Sequence, residues 1–141
     1  MKKILLIVCL TVAFAALLAL PACAPAYTVK YSYKPGIGYY LTDGKGMALY
    51  YFYNKDIQGT TFAGPKSVCT GACLANWPAF YTDTLILTRT ISSANFTWFT
   101  REDGMKQLAY QGWPLYYYVI DKQPGDTNGE GVNNAWYLIR Y

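Results

Sequence analysis

The chain has no histidine among its 141 residues. Without imidazole it cannot build Ser-His or Cys-His nucleophiles, histidine general bases, or imidazole ligands for metal and haem. Most familiar hydrolase and metalloenzyme designs are thereby excluded. We therefore expect a protein that is not an enzyme.

A clustered basic surface is also missing. The net charge is +4, and Lys2 and Lys3 supply two of those charges, which leaves about +2 for the rest of the chain. Nucleic-acid binding requires Lys and Arg gathered on one face. No nucleic-acid partner is therefore expected.

Only one long apolar run is present. It extends from Ile4 to Leu20, follows two lysines, and precedes the small residues of 21–26. This order is typical of a secretory signal, so we assign residues 1–26 to a signal peptide or lipoprotein signal and 27–141 to a single domain. The run is at the short end of what spans a bilayer, so an uncleaved membrane anchor is the alternative.

Two cleavage sites compete. Residues 20–23 resemble a bacterial lipobox, in which Cys23 would become a lipidated N-terminus, whereas Ala24 and Ala26 form an ordinary small-x-small site. Either reading predicts an exported protein of the cell envelope or extracellular space. Its partners would be the membrane, through a lipid or uncleaved anchor, and a component of the envelope.

Cysteine is scarce, and only Cys69 and Cys73 lie beyond the N-terminal segment. A pair of cysteines in an exported chain favours a disulfide. We predict a short helical turn that ends before Pro78 and carries both cysteines, four residues apart. On such a turn their Cα atoms would be about 6 Å apart, within disulfide range. Metal or redox chemistry is the alternative, but two thiolates fill only half of a tetrahedral site.

Aromatic residues are abundant, at 18% of the chain with fifteen tyrosines, which suits β-sheets better than helices. Short alternating or continuously apolar segments, bounded by Gly, Pro and Asp-Gly turns, predict strands. These segments are 27–34, 39–42, 47–53, 85–91, 96–101, 105–110, 115–120 and 136–141. We predict an all-β antiparallel sandwich or open barrel, with one short helical turn near the cysteine pair.

The pattern Tyr-x-aromatic-x-x-Asp occurs twice, 65 residues apart, within repeats of about 38–60 and 103–126. Its members are Tyr51, Tyr53 and Asp56 in the first copy, and Tyr116, Tyr118 and Asp121 in the second. A register on Tyr50 and Phe52 is also available in the first copy, but only the later register places Asp56 at the motif spacing. We interpret both copies as structural units of two related halves.

These motifs resemble a known family, the secreted-repeat lipoproteins with a Y-x-[FWY]-x-x-D motif. The resemblance covers YLTDGKGMALYYFYNKD, CTGACLANWP, REDGMKQLAYQGWPLYYY and DKQPGDTNGEGVNNAWYLI, in that order. It implies an exported, often lipid-anchored protein built from repeats. It implies no particular biochemical activity.

One turn has the composition of a cation site. Asp126, Asn128 and Glu130 carry side-chain oxygens at alternate positions, and Asp121 could complete the set from upstream. This spacing is similar to the start of a calcium loop, although Tyr137 occupies the position of the closing glutamate. Calcium is the one cofactor that the sequence suggests, and a polar surface turn is the alternative.

Together these features predict an exported, surface-anchored and non-catalytic module that binds a ligand or has a structural role in the envelope. Two other functions remain as hypotheses. One is an extracytoplasmic redox or electron-transfer accessory that uses Tyr, Trp and the cysteine pair. The other is a calcium-stabilised binding module.

Overall fold

The computed structural model describes residues 26–53, 55–56 and 64–141. The predicted signal segment and the predicted lipidation at Cys23 lie outside these residues. Within the described part of the chain, no helix is both long and apolar enough to cross a membrane.

The described residues contain seven strands, one short α-helix and two 3-10 turns, and the prediction of an all-β antiparallel fold is confirmed. The pairings are β1 with β2, β3 with β7, and β4 with β5 and β6, and the described strands do not close into a barrel. The elements are β1 (Val29–Lys34), β2 (Gly38–Asp43), β3 (Tyr50–Phe52), α1 (Ala72–Asn76), β4 (Phe96–Thr100), β5 (Lys106–Tyr110), β6 (Trp113–Pro114) and β7 (Trp136–Leu138).

Two hairpins begin the two halves of the domain. In β1–β2 the turn is closed by the Ile37 amide, which donates to the Lys34 carbonyl, and Gly36 has a φ of 82°. In β4–β5 the predicted Asp-Gly turn is present: Gly104 has a φ of 82° and Asp103 accepts the Met105 amide. Positive φ is a conformation that glycine adopts without steric cost, so local sequence alone specifies both turns.

Each motif copy pairs with a segment that follows the other copy. β7, which follows the second motif copy, pairs with β3 of the first copy, while the Tyr117 amide of the second copy donates to Pro78, which follows the first. At the centre, Tyr50 and Tyr116 donate their amides to each other's carbonyls, both at 2.9 Å. Such reciprocal contacts are characteristic of a twofold arrangement, here formed within one chain.

Two buried clusters fill the interior. The first is mainly aliphatic and lies beneath the two hairpins: Val29, Leu41, Leu49, Phe80, Ile91, Phe96, Leu108, Tyr110, Leu115 and Ile139. The second is mainly aromatic and lies between the motif copies: Tyr40, Ala48, Tyr50, Cys69, Trp77, Tyr116, Trp136 and Leu138. Continuously apolar strand segments are buried on both faces, so each central strand contributes to both clusters.

The prediction of a strand over 115–120 is wrong, because only Tyr116 makes isolated bridges there, to Tyr50 and Ala79. The prediction of a strand over 85–91 is wrong as well. Leu87 makes one isolated parallel bridge to Val29, and the segment continues into a turn at 89–91. Its alternation of Thr with apolar residues imitates a strand, but the hydroxyls of Thr88 and Thr90 bond to each other and Ile86 is 46% exposed. The short polar side chains favour local turns over a sheet ladder.

The predicted disulfide between Cys69 and Cys73 is confirmed, with a Cα–Cα distance of 5.3 Å, and the predicted helical turn is α1. Cys69 is buried, and its carbonyl accepts a hydrogen bond from Arg101 Nη2 at 2.6 Å. The disulfide therefore holds a buried carbonyl in place for a buried arginine.

Replacing Cys69 and Cys73 with Ser, in a chain that begins at Tyr27, should lower the free energy of unfolding by about 2 kcal/mol, the chain-entropy value for so short a loop. Urea unfolding of the oxidised parent and the variant measures this difference. Reducing the parent should reproduce the loss. An unchanged urea midpoint in both comparisons would contradict a stabilising role.

Candidate functional site

Two tyrosine–aspartate hydrogen bonds cross between the motif copies. The Tyr50 hydroxyl donates to Asp121 Oδ2 at 2.7 Å, and the Tyr116 hydroxyl donates to Asp56 Oδ2. All four side chains are buried. Each motif therefore completes the other, because its tyrosine serves the aspartate of the opposite copy. We call these four residues the crossed Tyr–Asp pairs.

The register on Tyr51 and Tyr53 is therefore wrong, since Tyr50 is the structural counterpart of Tyr116. The Tyr53 and Val119 amides confirm this one-residue shift by donating to Ala135 and Asn76 at equivalent places. In the sequence, the first copy holds one additional residue between Tyr53 and its aspartate, compared with Val119 and Asp121 of the second copy. Motif spacing in the sequence was misleading because a turn tolerates an insertion and a paired strand does not.

Asp121 is held by the turn that follows it. Asn128 donates both its amide and its Nδ2 to Asp121 Oδ1, at 2.9 and 3.0 Å, and the Gly129 amide donates to the Tyr50 hydroxyl at 3.2 Å. A Cβ at Gly129 would lie 2.7 Å from the Tyr50 ring and 2.9 Å from Trp77. Only glycine allows this turn to approach the aromatic core.

Asp56 has a different environment. It accepts the Val68 amide at 2.7 Å in addition to the Tyr116 hydroxyl, which also contacts the Ser67 hydroxyl at 2.6 Å. Burial raises the pKa of Asp56 to about 6, although these hydrogen bonds and the charge of Arg101 act in the opposite direction. Desolvation of the carboxylate therefore outweighs its local stabilisation.

The residues of the suggested calcium site serve other partners. Asp126 accepts the amides of Lys122 and Gln123, and Glu130 accepts the Leu138 amide and pairs with Arg140 at 2.6 Å. Asp121 is buried against Tyr50, as described above. Across the described residues, no group of three or more Cys, Asp and Glu could hold a metal ion. The turn is organised by protein donors.

Four stacked rings lie between the motif copies, in the order Phe52, Trp136, Trp77, Tyr118. Their successive centroids are 4.2, 3.8 and 4.0 Å apart, with interplanar angles of 5°, 3° and 15°. The first copy contributes Phe52 of its motif and the later Trp77, and the second copy contributes Tyr118 of its motif and the later Trp136. We call this stack the aromatic ladder.

The aromatic ladder borders an open cleft of about 500 Å³, which we call the axial cleft. Lys55, Cys73 of the disulfide, and the side chains of Asn76 and Asn133 complete its lining together with small residues.

A second open cleft of about 490 Å³ lies on the surface beside β3, β6 and β7. Its principal lining residues are Tyr51, Tyr110, Trp113, Glu130, Tyr137 and Arg140, and we call it the tyrosine cleft. The ring cluster continues to Tyr53, which is 44% exposed. Burial and the nearby Glu130 carboxylate raise the pKa of Tyr51, so its phenol remains protonated.

Sequence reasoning did not assign the residues of either cleft to a site, apart from the motif members, Cys73 and Glu130. The available signal was a tryptophan after each motif copy, Trp77 and Trp136. Trp113 and Tyr137 carried no spacing signal, because both contact the ring of Tyr51, which is more than sixty residues away from either of them in sequence.

Residues 97–140 match the model of a protein family described as a secreted repeat of unknown function. The matched segment contains the second motif copy and β7. The match confirms the resemblance over this part of the chain, and the description "secreted" agrees with the predicted export. No curated protein and no solved structure matched the chain.

Tyr50→Phe and Tyr116→Phe should each lower the free energy of unfolding by about 1.5–3 kcal/mol, because a buried carboxylate loses a donor. The matched control is Tyr33→Phe on a ring that is 63% exposed, where a change below about 0.5 kcal/mol is expected. Urea denaturation measures all three. Equal effects at the three positions would contradict the importance of the crossed Tyr–Asp pairs.

The raised pKa of Asp56 predicts a pH dependence of stability. A folded pKa of about 6 means that the native state holds this proton more tightly than the unfolded chain, in which Asp titrates near 4. The resulting stabilisation is complete below about pH 4 and is lost as the pH rises through 6, by up to about 3 kcal/mol.

Asp56→Asn cannot ionise and supplies the reference for this effect. Urea unfolding between pH 4 and 7 should show the wild type losing stability relative to the variant as the pH rises. A constant difference across this range would show that Asp56 titrates alike in both states.

Proposed function

We propose that this chain is an exported, non-catalytic binding module, held at the cell surface by its N-terminal segment, and that it binds an envelope saccharide in the tyrosine cleft. The observation that carries the proposal is the cluster of partly exposed aromatic rings beside a charged pair. Ligand sites are typically concave and apolar with a few fixed polar groups, and the tyrosine cleft has this composition.

The rings offer surfaces for the apolar face of a sugar. Tyr51 lies 5.2 Å from Trp113 and 6.1 Å from Tyr137 between ring centroids, with tilted interplanar angles of 49° and 41°. None of these rings forms a parallel stack with another in this cluster, so ring surface remains available to a ligand. Aromatic side chains supply large contact area at low cost in conformational entropy.

The polar groups suit hydroxyls. The Glu130 carboxylate already accepts the Leu138 amide and Arg140 Nη2, which fixes it in position at the cleft. Arg140 is half-exposed and has further N–H donors, and the Tyr51 phenol can donate or accept. Apolar rings next to preorganised donors and acceptors match the alternating C–H and O–H surface of a saccharide.

A cation is a poorer ligand for this cleft. An aromatic cage needs rings arranged around a central cation, each within about 6 Å of it. Here the ring centroids are themselves only 5.2 to 6.1 Å apart, so the rings contact one another. Arg140 adds a positive charge beside them.

The redox hypothesis has one observation in its favour: Cys73 lies in the axial cleft beside the aromatic ladder. The partner cysteine is 1% exposed, which argues for a structural disulfide. A pair that cycles under mild reductant, or a bound chromophore in the native protein, would favour the redox function over saccharide binding.

An array of microbial envelope glycans, followed by calorimetry on the soluble domain, tests the proposal. We expect at least one glycan to bind, and Trp113→Ala to weaken its affinity about tenfold or more, which corresponds to about 1.4 kcal/mol. Trp98→Ala removes a 47% exposed tryptophan outside this cleft and should leave the affinity unchanged. Failure of every glycan to bind, or equal effects of both substitutions, would overturn it.

A further inference from the structure

The axial cleft is independent of the proposed saccharide site. The lining residues described for the axial cleft and for the tyrosine cleft have no member in common. The two motif copies contribute equally to the aromatic wall of the axial cleft. Phe52 lies in the first copy and Trp77 follows it, whereas Tyr118 lies in the second copy and Trp136 follows it.

The two tryptophans of the aromatic ladder line this cleft with their ring edges. Trp136 is covered on one face by Phe52 and on the other by Trp77, and Trp77 is covered in turn by Tyr118. The two tryptophans are 3% and 5% exposed, so only their edges can line the opening. The edge of an aromatic ring carries the positive end of its quadrupole, whereas the face is negative.

The charge of the lining has the same preference. Among the described lining residues, Lys55 is the only one that carries a charge, and no Asp or Glu accompanies it. The Asn133 amide and the Tyr118 hydroxyl can each donate or accept a hydrogen bond, whereas Asn76 Nδ2 already donates to the Ala72 carbonyl at 2.9 Å. The tryptophan edges and the cation favour an anionic group, while the small side chains of Ala72, Val132 and Ala135 leave room for an apolar body.

We propose that the axial cleft is a binding site for a small organic anion, a carboxylate or sulfonate with a planar apolar body. The apolar body lies along the ring edges between α1 and the Val132–Asn134 turn. The anionic group faces Lys55. Charge complementarity selects this ligand class, because the described cleft offers positive potential without a competing acid.

Two fluorescent probes separate the contribution of charge from that of the apolar surface: anilinonaphthalene sulfonate and its uncharged analogue N-phenylnaphthylamine. We expect both to bind the native domain. Lys55→Met should weaken sulfonate binding about two- to fivefold, the usual value of a solvent-exposed charge pair, and leave the neutral probe unchanged. Lys45→Met, at an exposed lysine outside the cleft, is the control. Equal losses for both probes, or none, would overturn the proposal.

Filling the cleft tests its location. Ala72 and Ala75 are both exposed residues of α1, but only Ala72 lines the axial cleft. Ala72→Trp should weaken both probes about tenfold or more, whereas Ala75→Trp should remain within about twofold of the wild type. Melting temperatures verify that both variants fold. If either variant fails to fold, the comparison of Lys55→Met with Lys45→Met tests the proposal instead.

The proposals for the two clefts can be tested independently of each other. Trp113→Ala, which removes the tyrosine cleft, should leave sulfonate binding unchanged. If Trp113→Ala weakens the sulfonate probe as much as Ala72→Trp does, the anion site does not lie in the axial cleft. Loss of glycan binding in Ala72→Trp would not bear on the anion site.

Discussion

The crossed Tyr–Asp pairs are the constraint on which the rest of the structure depends. Asp56 and Asp121 are 4% and 7% exposed, and a buried carboxylate is tolerated only with hydrogen-bond donors around it. The best-placed donor for each is a tyrosine of the opposite motif copy. Each repeat therefore depends on the other for one of the donors around its buried aspartate. The segments that follow each motif add to this dependence, because β7 pairs with β3 of the first copy and residues 78–79 bond to the second copy.

A difference between the halves creates the tyrosine cleft. Tyr51 and Tyr117 occupy equivalent positions, one residue after the crossed tyrosines. The Tyr117 hydroxyl donates to Asp43 at 2.9 Å and its ring packs edge-on against Phe80, which fills the space beside it. Tyr51 instead borders the open tyrosine cleft with Trp113. Of these two equivalent positions, the one at Tyr117 is therefore filled by packing, whereas the one at Tyr51 borders an open cleft.

Ring orientation distinguishes the two proposed sites. Tilted rings with exposed surface in the tyrosine cleft suit the apolar face of a neutral, hydroxyl-rich ligand. The parallel stack in the aromatic ladder covers both faces of its two tryptophans and leaves their edges, which favour an anion. The same residue types therefore support different chemistry according to whether neighbouring rings stack or tilt. The abundance of tyrosine, by itself, could not have distinguished these cases.

The sequence alone determined the features that depend on neighbouring residues: the two hairpin turns, the short helix, the Cys69–Cys73 disulfide, and the all-β class. Turn chemistry and alternation act over a few residues, so they can be read directly, and they fail where short polar residues imitate a strand, as at 85–91. Tertiary structure decided the register of Tyr50 against Tyr116, the exchange of paired segments and both clefts. These depend on hydrogen bonds and ring contacts between segments more than forty residues apart, and only packing of the whole chain selects among the local alternatives.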